Sequence, residues 1–398
     1  MNEPAILWAS PLPPTRSGVA DYAAELLPEL VTRTAVTLAE PPDWHPEAGS
    51  SWLAGLPRIA PGARLPGDAV PVLHLGNNPY HLWVVGMLRT SGGIVVLHDT
   101  VLHHLRVEEA ALDGDWPAFQ AELRVAHGDA GAALAQARRW GFHGPADAFL
   151  FPARTAYLRL ARGVIVHNRR AARDVASSCP GVPVRQVPLA VAALPAWDRT
   201  VARARLGVHD DELLLVHLGF LTPAKGMGTI LEALCALRDL GIRCRLVVVG
   251  EGSDHARAAG LVEALGLADR VTLTGWATRE TLGSIVSAAD LGLVPRYPTA
   301  GESSAAALRF LAAGTPAVVA GYRQFLELPE AATPRVTPGR GGIAELVRVV
   351  ADLAGNPERR ALARRAALRA WEEGGHAPAA AAERLLHAIT EITADVAR

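Results

Sequence analysis

Short β-branched apolar runs alternate along this chain with polar or glycine turns and with longer stretches of helical periodicity. The runs fall at 6–9, 72–75, 94–97, 164–166, 213–218, 246–249, 271–273, 291–294 and 317–320. Strands that recur with a helix between them are joined by crossovers, so the pattern predicts parallel α/β structure. Uninterrupted apolar runs such as 246–249 suit strands buried on both faces. The periodicity lapses at 187–198, where Pro188 and Pro195 fall, and a new helical pattern starts at Arg199. A domain linker belongs there, with a doubly wound sheet expected on each side and ligands expected at the carboxyl ends of the strands, in the cleft between two facing domains.

The 398 residues exceed what one core usually organises, which agrees with two domains. With 39 basic and 40 acidic residues the net charge is −1, and nothing in the whole-chain balance points to nucleic acid or an anionic membrane. Cys179, Cys235 and Cys244 are too few and too scattered for a disulfide framework or a thiolate metal site. The first residues carry Glu3, no basic flank and only a short apolar run, so a signal segment or membrane span is not expected, and a cytoplasmic location is.

The densest chemistry lies in 291–320. A strand-like run is followed by Arg296 and then by Gly301-Glu302-Ser303-Ser304, which open a helix expected to reach Ala313 and stop at Gly314. Unpaired N–H groups and the positive end of the helix dipole would face an incoming anion there. An ordinary capped crossover helix is the equal alternative. After the run 213–218 comes Gly219, and Lys225-Gly226 close the same loop, placing a cation where it can reach such an anion. Gly250 and Gly275-Trp276 punctuate the next two strand ends, although glycines there are common turn formers and Trp276 reads more readily as a packing residue. In the first half, Ser17-Gly18 lead a Pro-rich loop into a helix, with Ser17 a candidate cap and Gly18 a point of close ligand approach. His98-Asp99 follow the run 94–97, and Asn77 follows 72–75, where its amide can serve a sugar or simply a turn. His103 and His104 read as part of the next helix, and Asp113-Gly114-Asp115 as a surface turn. No H-E-x-x-H or other organised ligand set is present, so neither a metal nor a cofactor is expected.

The segments 11–30, 219–226 and 296–320 resemble those of retaining glycosyltransferases of family 4 (glycosyl transferases group 1), and the order of elements is similar over nearly the whole chain. The resemblance implies the GT-B architecture, two Rossmann-like domains at 1–190 and 197–371, and a last helix within 372–398 that crosses back to the first domain. It implies transfer of a hexose from a nucleotide-diphosphate sugar to an acceptor. His98, Lys225 and Glu302 would be catalytic. Gly18, Gly219, Gly250, Trp276, Arg296, Gly301, Ser303 and Ser304 would serve the donor, and Asp99, Asn77 and Ser17 the acceptor or sugar. The chain departs from the family in two places. Phe220 stands where many members have arginine, with Arg296 as its expected substitute. The second carboxylate of the Glu-x7-Glu motif is absent, since the position falls on Arg309 or Phe310, and the nearby Glu302 is the candidate for a hydroxyl contact. Epimerisation of a nucleotide sugar, or binding of a sugar nucleotide or glycan without catalysis, are the alternatives. A nicotinamide Rossmann enzyme is disfavoured because no G-x-G-x-x-G follows a strand.

Overall fold

Apolar runs with no polar interruption become the inner strands of two sheets in which every strand pairing is parallel. The computed structural model describes residues 3–46, 48–61, 63–64 and 67–396. It divides into a first unit, Met1–Ala190 with Ala300–Ser303 and Pro378–Arg398, and a second unit, Val191–Thr299 with Ser304–Ala377. Among the described residues the first unit holds β1 (Ile6–Ala9), β2 (Val36–Ala39), β3 (Arg58–Ile59), β4 (Val70–Leu75), β5 (Ile94–Leu97), β6 (Gly163–Val166) and β7 (Val184–Gln186). The second holds β8 (Leu213–Leu218), β9 (Cys244–Val249), β10 (Val271–Gly275), β11 (Leu291–Val294), β12 (Ala317–Ala320) and β13 (Arg335–Val336).

Strand order is β3-β2-β1-β4-β5-β6-β7 in one sheet and β10-β9-β8-β11-β12-β13 in the other. Each order reverses direction once, between β1 and β4 and between β8 and β11. At such a point successive crossovers leave to opposite sides and a crevice opens beyond the carboxyl ends of the strands. All six residues of β8 are buried, as are all four in β1, β5, β6, β11 and β12, because helices cover both faces. The two units share the GT-B fold, two parallel α/β sheets of seven and six strands.

β2, β3, β7 and β13 are not anticipated by the sequence pattern. They lie at or next to sheet edges and run for only two to four residues, too short to show a period. The expected helix over 301–313 is shorter than anticipated: it spans Ala305–Ala312, with Ser304 as its N-cap accepting from the Ala307 N–H at 3.2 Å. Asp113-Gly114-Asp115 proves to be a helix-to-helix corner, Gly114 ending one helix in the left-handed conformation and Asp115 capping the next.

Helix Pro378–Val396 belongs to the first unit. Its Glu391 and Asp395 accept hydrogen bonds from Arg185 of β7 at 2.7 and 2.5 Å, and its Ile392 lies over Gly163 of β6. A Cβ at Gly163 would meet Ile392 Cγ2 at 2.5 Å. Gly163→Val is therefore expected to cost ~1–3 kcal/mol by overpacking. In a urea-denaturation double-mutant cycle, Ile392→Ala should be less harmful in the Gly163→Val background than in the wild type; additive losses would refute the contact.

Candidate functional site

In the second unit the loop after β8 is built by backbone contact with its neighbours. Gly219 donates to the Val249 carbonyl at 2.9 Å, Gly250 donates to the Gly275 carbonyl at 2.8 Å, and Leu221 donates to the Glu251 carbonyl at 2.7 Å. Gly250 has φ +142°, and a Cβ there would lie 2.1 Å from the Gly219 carbonyl oxygen. The glycines at these strand ends are thus explained by close backbone approach, whatever ligand they meet. Across the switch point, Tyr297 donates to the Ala224 carbonyl at 2.8 Å, tying the loop after β11 to the loop after β8. Lys225 and Arg296 are consequently brought to one end of the sheet.

Near enough to these cations to feel both charges sits His217, the penultimate residue of β8, which is 1% exposed. Its Nδ1–H donates to the Leu293 carbonyl at 2.7 Å, which fixes the tautomer and leaves Nε2 a bare acceptor with no partner among the described residues. Burial first, then the positive charges of Lys225 and Arg296, push its pKa down to about 4. The imidazole is therefore neutral beside Lys225 and Arg296. Phe220, in place of the family arginine, is 63% exposed, and Trp276 is 56% exposed, which removes the packing account of that residue.

Of the residues expected to form the anion seat, Gly301, Glu302 and Ser303 are held, with Ala300, within the first unit, and Ser304 belongs to the second. The Ala300 carbonyl accepts from the Thr100 N–H and hydroxyl at 2.8 and 2.9 Å. Asn168 donates Nδ2 to the Gly301 carbonyl at 2.9 Å and to Ser303 Oγ at 3.1 Å, while its Oδ1 caps helix Arg169–Ser178. Gly301 has φ +83°, and a Cβ there would fall 2.0 Å from Thr100 Oγ1. Packing against Thr100 therefore accounts for this glycine. Glu302 and Ser303 are half-buried, and Ser304 serves as the helix cap.

The first unit carries an arrangement that sequence reasoning missed. His74, His98 and His167, from the carboxyl ends of β4, β5 and β6, form one hydrogen-bonded row: His74 Nδ1 to His98 Nε2 at 3.0 Å, and His98 Nδ1 to His167 Nε2 at 3.3 Å. His167 Nδ1 lies 3.0 Å from the Val187 carbonyl, which can only accept. That contact assigns a proton to Nδ1 of His167, hence to Nδ1 of His98, hence to Nδ1 of His74. His81 donates its Nδ1–H to the His74 carbonyl at 2.8 Å. Trp8 lies 3.9 Å from the His74 ring centroid, and the Tyr22 ring stands within 5.0–5.7 Å of all three imidazoles. Burial, reinforced by neighbouring imidazoles, holds His74 and His98 well below the ordinary histidine range. Tyr22 Oη, His74 Nε2 and His81 Nε2 are buried without partners among the described residues.

Both ring nitrogens of His98 are engaged in this row, so a ring contact with a ligand requires release of His74 or His167. Asp99 Oδ2 accepts from the Asn77 N–H at 2.9 Å, and Asn77 Oδ1 accepts from the N–H groups of His104 and Leu105 at 2.8 and 3.3 Å. This side-chain oxygen of Asn77 is thereby committed to a helix start. Ser17 caps helix Gly18–Leu30 through the Ala20 N–H at 3.1 Å, and Gly18 is exposed with nothing within 4 Å of a would-be Cβ. His103 bonds the Phe151 carbonyl and Arg138, a structural role. Among the described residues no group of three or more His, Cys, Asp or Glu side chains is disposed to hold a metal ion, and no helix is long and apolar enough to cross a membrane.

The sequence model of the family "Glycosyl transferases group 1" matches residues 198–369. The GDP-mannose-dependent alpha-(1-6)-phosphatidylinositol dimannoside mannosyltransferase of Mycobacterium tuberculosis is 35% identical over 164 residues, 40% of this chain and 41% of that protein. Alpha-D-kanosaminyltransferase of Streptomyces kanamyceticus is 34% identical over 104 residues, 26% of this chain and 27% of that protein. The chain thus matches about two fifths or less of the length of these relatives. Among solved structures, sucrose-phosphate synthase from Thermosynechococcus elongatus superposes with a TM-score of 0.66 at 17% identity, covering 98% of this chain and 100% of that one. Anabaena HepE in complex with UDP and glucose superposes with a TM-score of 0.66 at 15% identity, covering 97% and 99%. At these identities the structural likeness establishes the GT-B fold.

Two outcomes follow from the geometry. His81 and His217 have folded-state pKa values of about 4 against 6.5 when unperturbed. The unfolded chain therefore binds more protons than the folded one once pH falls below about 6.5. Stability is fully present above that pH and declines toward pH 4, by up to about 3 kcal/mol for each such histidine. Urea midpoints at pH 7.5, 6 and 5 read this, and midpoints that rise on acidification would contradict it. Separately, Gly18→Ala should leave the melting temperature unchanged or higher, because alanine favours the helix by up to about 1 kcal/mol. It should nevertheless weaken ligand binding if that open space is where a ligand approaches, as isothermal titration with a nucleotide-diphosphate sugar would measure.

Proposed function

We propose that the chain is a retaining glycosyltransferase of family 4 that moves a hexose from a nucleotide-diphosphate sugar to an acceptor without a metal ion. The observation that carries this reading is the switch-point cluster of the second unit, where Lys225 and Arg296 stand near a histidine that burial keeps neutral. The family match covers the same residues. GDP-mannose and UDP, named for two of the similar proteins, make nucleoside diphosphates the natural probes.

As the bond from the sugar's anomeric carbon to the diphosphate oxygen breaks, negative charge builds on the leaving group while the sugar becomes oxocarbenium-like. Fixed positive charge on Lys225 and Arg296, with the positive end of helix Ala305–Ala312, would stabilise that charge without reorganising at the moment of reaction. In retention, the acceptor hydroxyl attacks from the face the leaving group has vacated and its proton passes to the departing diphosphate. In the first unit, the Ser17-Gly18 helix start would face the donor or acceptor, and the imidazole row would set the position of His98. Glu302 would provide the hydroxyl contact otherwise made by the missing second carboxylate.

A non-catalytic sugar-nucleotide-binding role draws on one specific observation, the exposed Phe220 where a family cation is expected. Thermal-shift measurements with UDP, GDP and their sugars separate the readings when paired with an acceptor screen. For an enzyme, a nucleoside diphosphate stabilises the wild type and does so less after Lys225→Ala, and turnover falls about 10²–10³-fold in that variant. Equal thermal shifts in the two proteins would remove Lys225 from the mechanism. Binding without turnover across acceptors would favour the second role, and change of the sugar with no acceptor present would indicate epimerisation.

A further inference from the structure

A polar cavity of about 890 Å³ opens within the second unit at the amino ends of β8, β9 and β11, the opposite end of that sheet from Lys225 and Arg296. Its walls are electrostatically uneven. On one side Arg199 and Arg203 share the single carboxylate of Asp290, at 2.6 and 2.9 Å, and Arg364 stands close enough to Asp290 and Arg199 for their charges to act on one another. Part of this arrangement is structural: Arg199, Arg203 and Arg364 donate to the Ser287, Ala288 and Ala289 carbonyls, which close helix Arg279–Ala288. That role accounts for only some of their N–H groups.

The helix Pro357–Glu373 adds what the fold does not require. Arg360 and Arg364 are four residues apart on the helix face that lines the cavity, and among the described residues neither forms an ion pair. Like charges at that spacing repel, and Arg360, the fourth residue of the helix, also stands near the positive end of its dipole. Arg360 bonds the Leu353 and Ala354 carbonyls and Arg364 the Ala289 carbonyl, which leaves most of each guanidinium fork available. An anion bound between them would offset all of these repulsions at once. The remaining wall carries Asp210, Asp211 and Glu212 together with Arg243; Asp211 pairs with Arg243, whereas Glu212 is 3.7 Å from Arg245, too far for a tight pair, so the carboxylates outnumber the cations there. Carboxylates accept hydroxyls and reject a second anionic group. The volume suits a molecule of sugar size or somewhat larger.

We infer that this cavity binds a phosphomonoester of a polyhydroxylated small molecule, its phosphate held by Arg360 and Arg364 and its hydroxyls facing Asp210 and Glu212. Bidentate guanidinium–phosphate bonds supply the affinity. The site is independent of the proposed transfer reaction.

Isothermal titration of the full chain with glucose 6-phosphate, with inorganic phosphate and glucose as partial probes, tests this. Glucose 6-phosphate should bind at least tenfold more tightly than either fragment. Arg360→Ala/Arg364→Ala should weaken it at least tenfold while UDP or GDP binding is unchanged, and Lys225→Ala should leave glucose 6-phosphate binding as in the wild type. Absence of binding at millimolar ligand, equal binding by the double variant, or loss confined to Lys225→Ala would overturn the inference. If the double variant does not fold, Arg364→Gln, which keeps an N–H for the Ala289 carbonyl, is read by the same criteria.

Discussion

The chemistry of this chain depends on the reversal of strand order in each parallel sheet. Between β1 and β4, and between β8 and β11, neighbouring strands send their loops to opposite faces, so the two carboxyl ends meet no crossover helix. Apart from Trp276, which follows β10, every candidate residue from Ser17 and Asn77 to Lys225 and Arg296 lies on a loop that leaves one of those four strands or its neighbour. Rigidity comes from the backbone: loops after β8, β9 and β10 are bonded to one another, and the interval between Gly250 and Gly219 admits no side chain. Precise placement of a cation on such a loop is therefore a property of the sheet, with the loop sequence adding only its charge.

How far this was legible in the sequence follows the same division. The inner strands could be read because burial on both faces leaves an unbroken apolar run. The edge strands β3, β7 and β13 face fewer neighbours, carry no such run, and emerge only once the sheet gives them a partner. Lys225 and Arg296 could be placed because loop position follows from strand position. Gly301 was legible as a special glycine but its cause was not: the contact with Thr100 spans about two hundred residues of chain, beyond the reach of local pattern.

The histidines are the instructive omission. His74 and His217 sit as penultimate residues of buried strands, and His98 and His167 immediately follow two others. A histidine inside an apolar run reads as an ordinary core residue one strand at a time. Read across strands, three neighbouring carboxyl ends of one sheet, each carrying an imidazole, form a pattern, since parallel strands in register place equivalent ends side by side. Pairing of Leu75 with Leu97 and of Leu97 with Val166 is what brings His74, His98 and His167 within hydrogen-bond reach.

Neutrality of these imidazoles has opposite uses in the two units. In the first, three adjacent rings can form a continuous row only if each nitrogen pair holds one proton; a second proton on His98 or His167 would set two donors face to face, and one on any of the three would place a charge in a buried cluster. The Val187 carbonyl sets the direction for the whole row from one end. In the second unit the single His217 stands beside two cations, and a charged imidazole there would add to their repulsion. Held neutral, it offers an acceptor beside Lys225 and Arg296 and adds no charge to theirs. Burial thus acts on one residue type to order a row of donors and acceptors in one sheet and to limit local charge in the other.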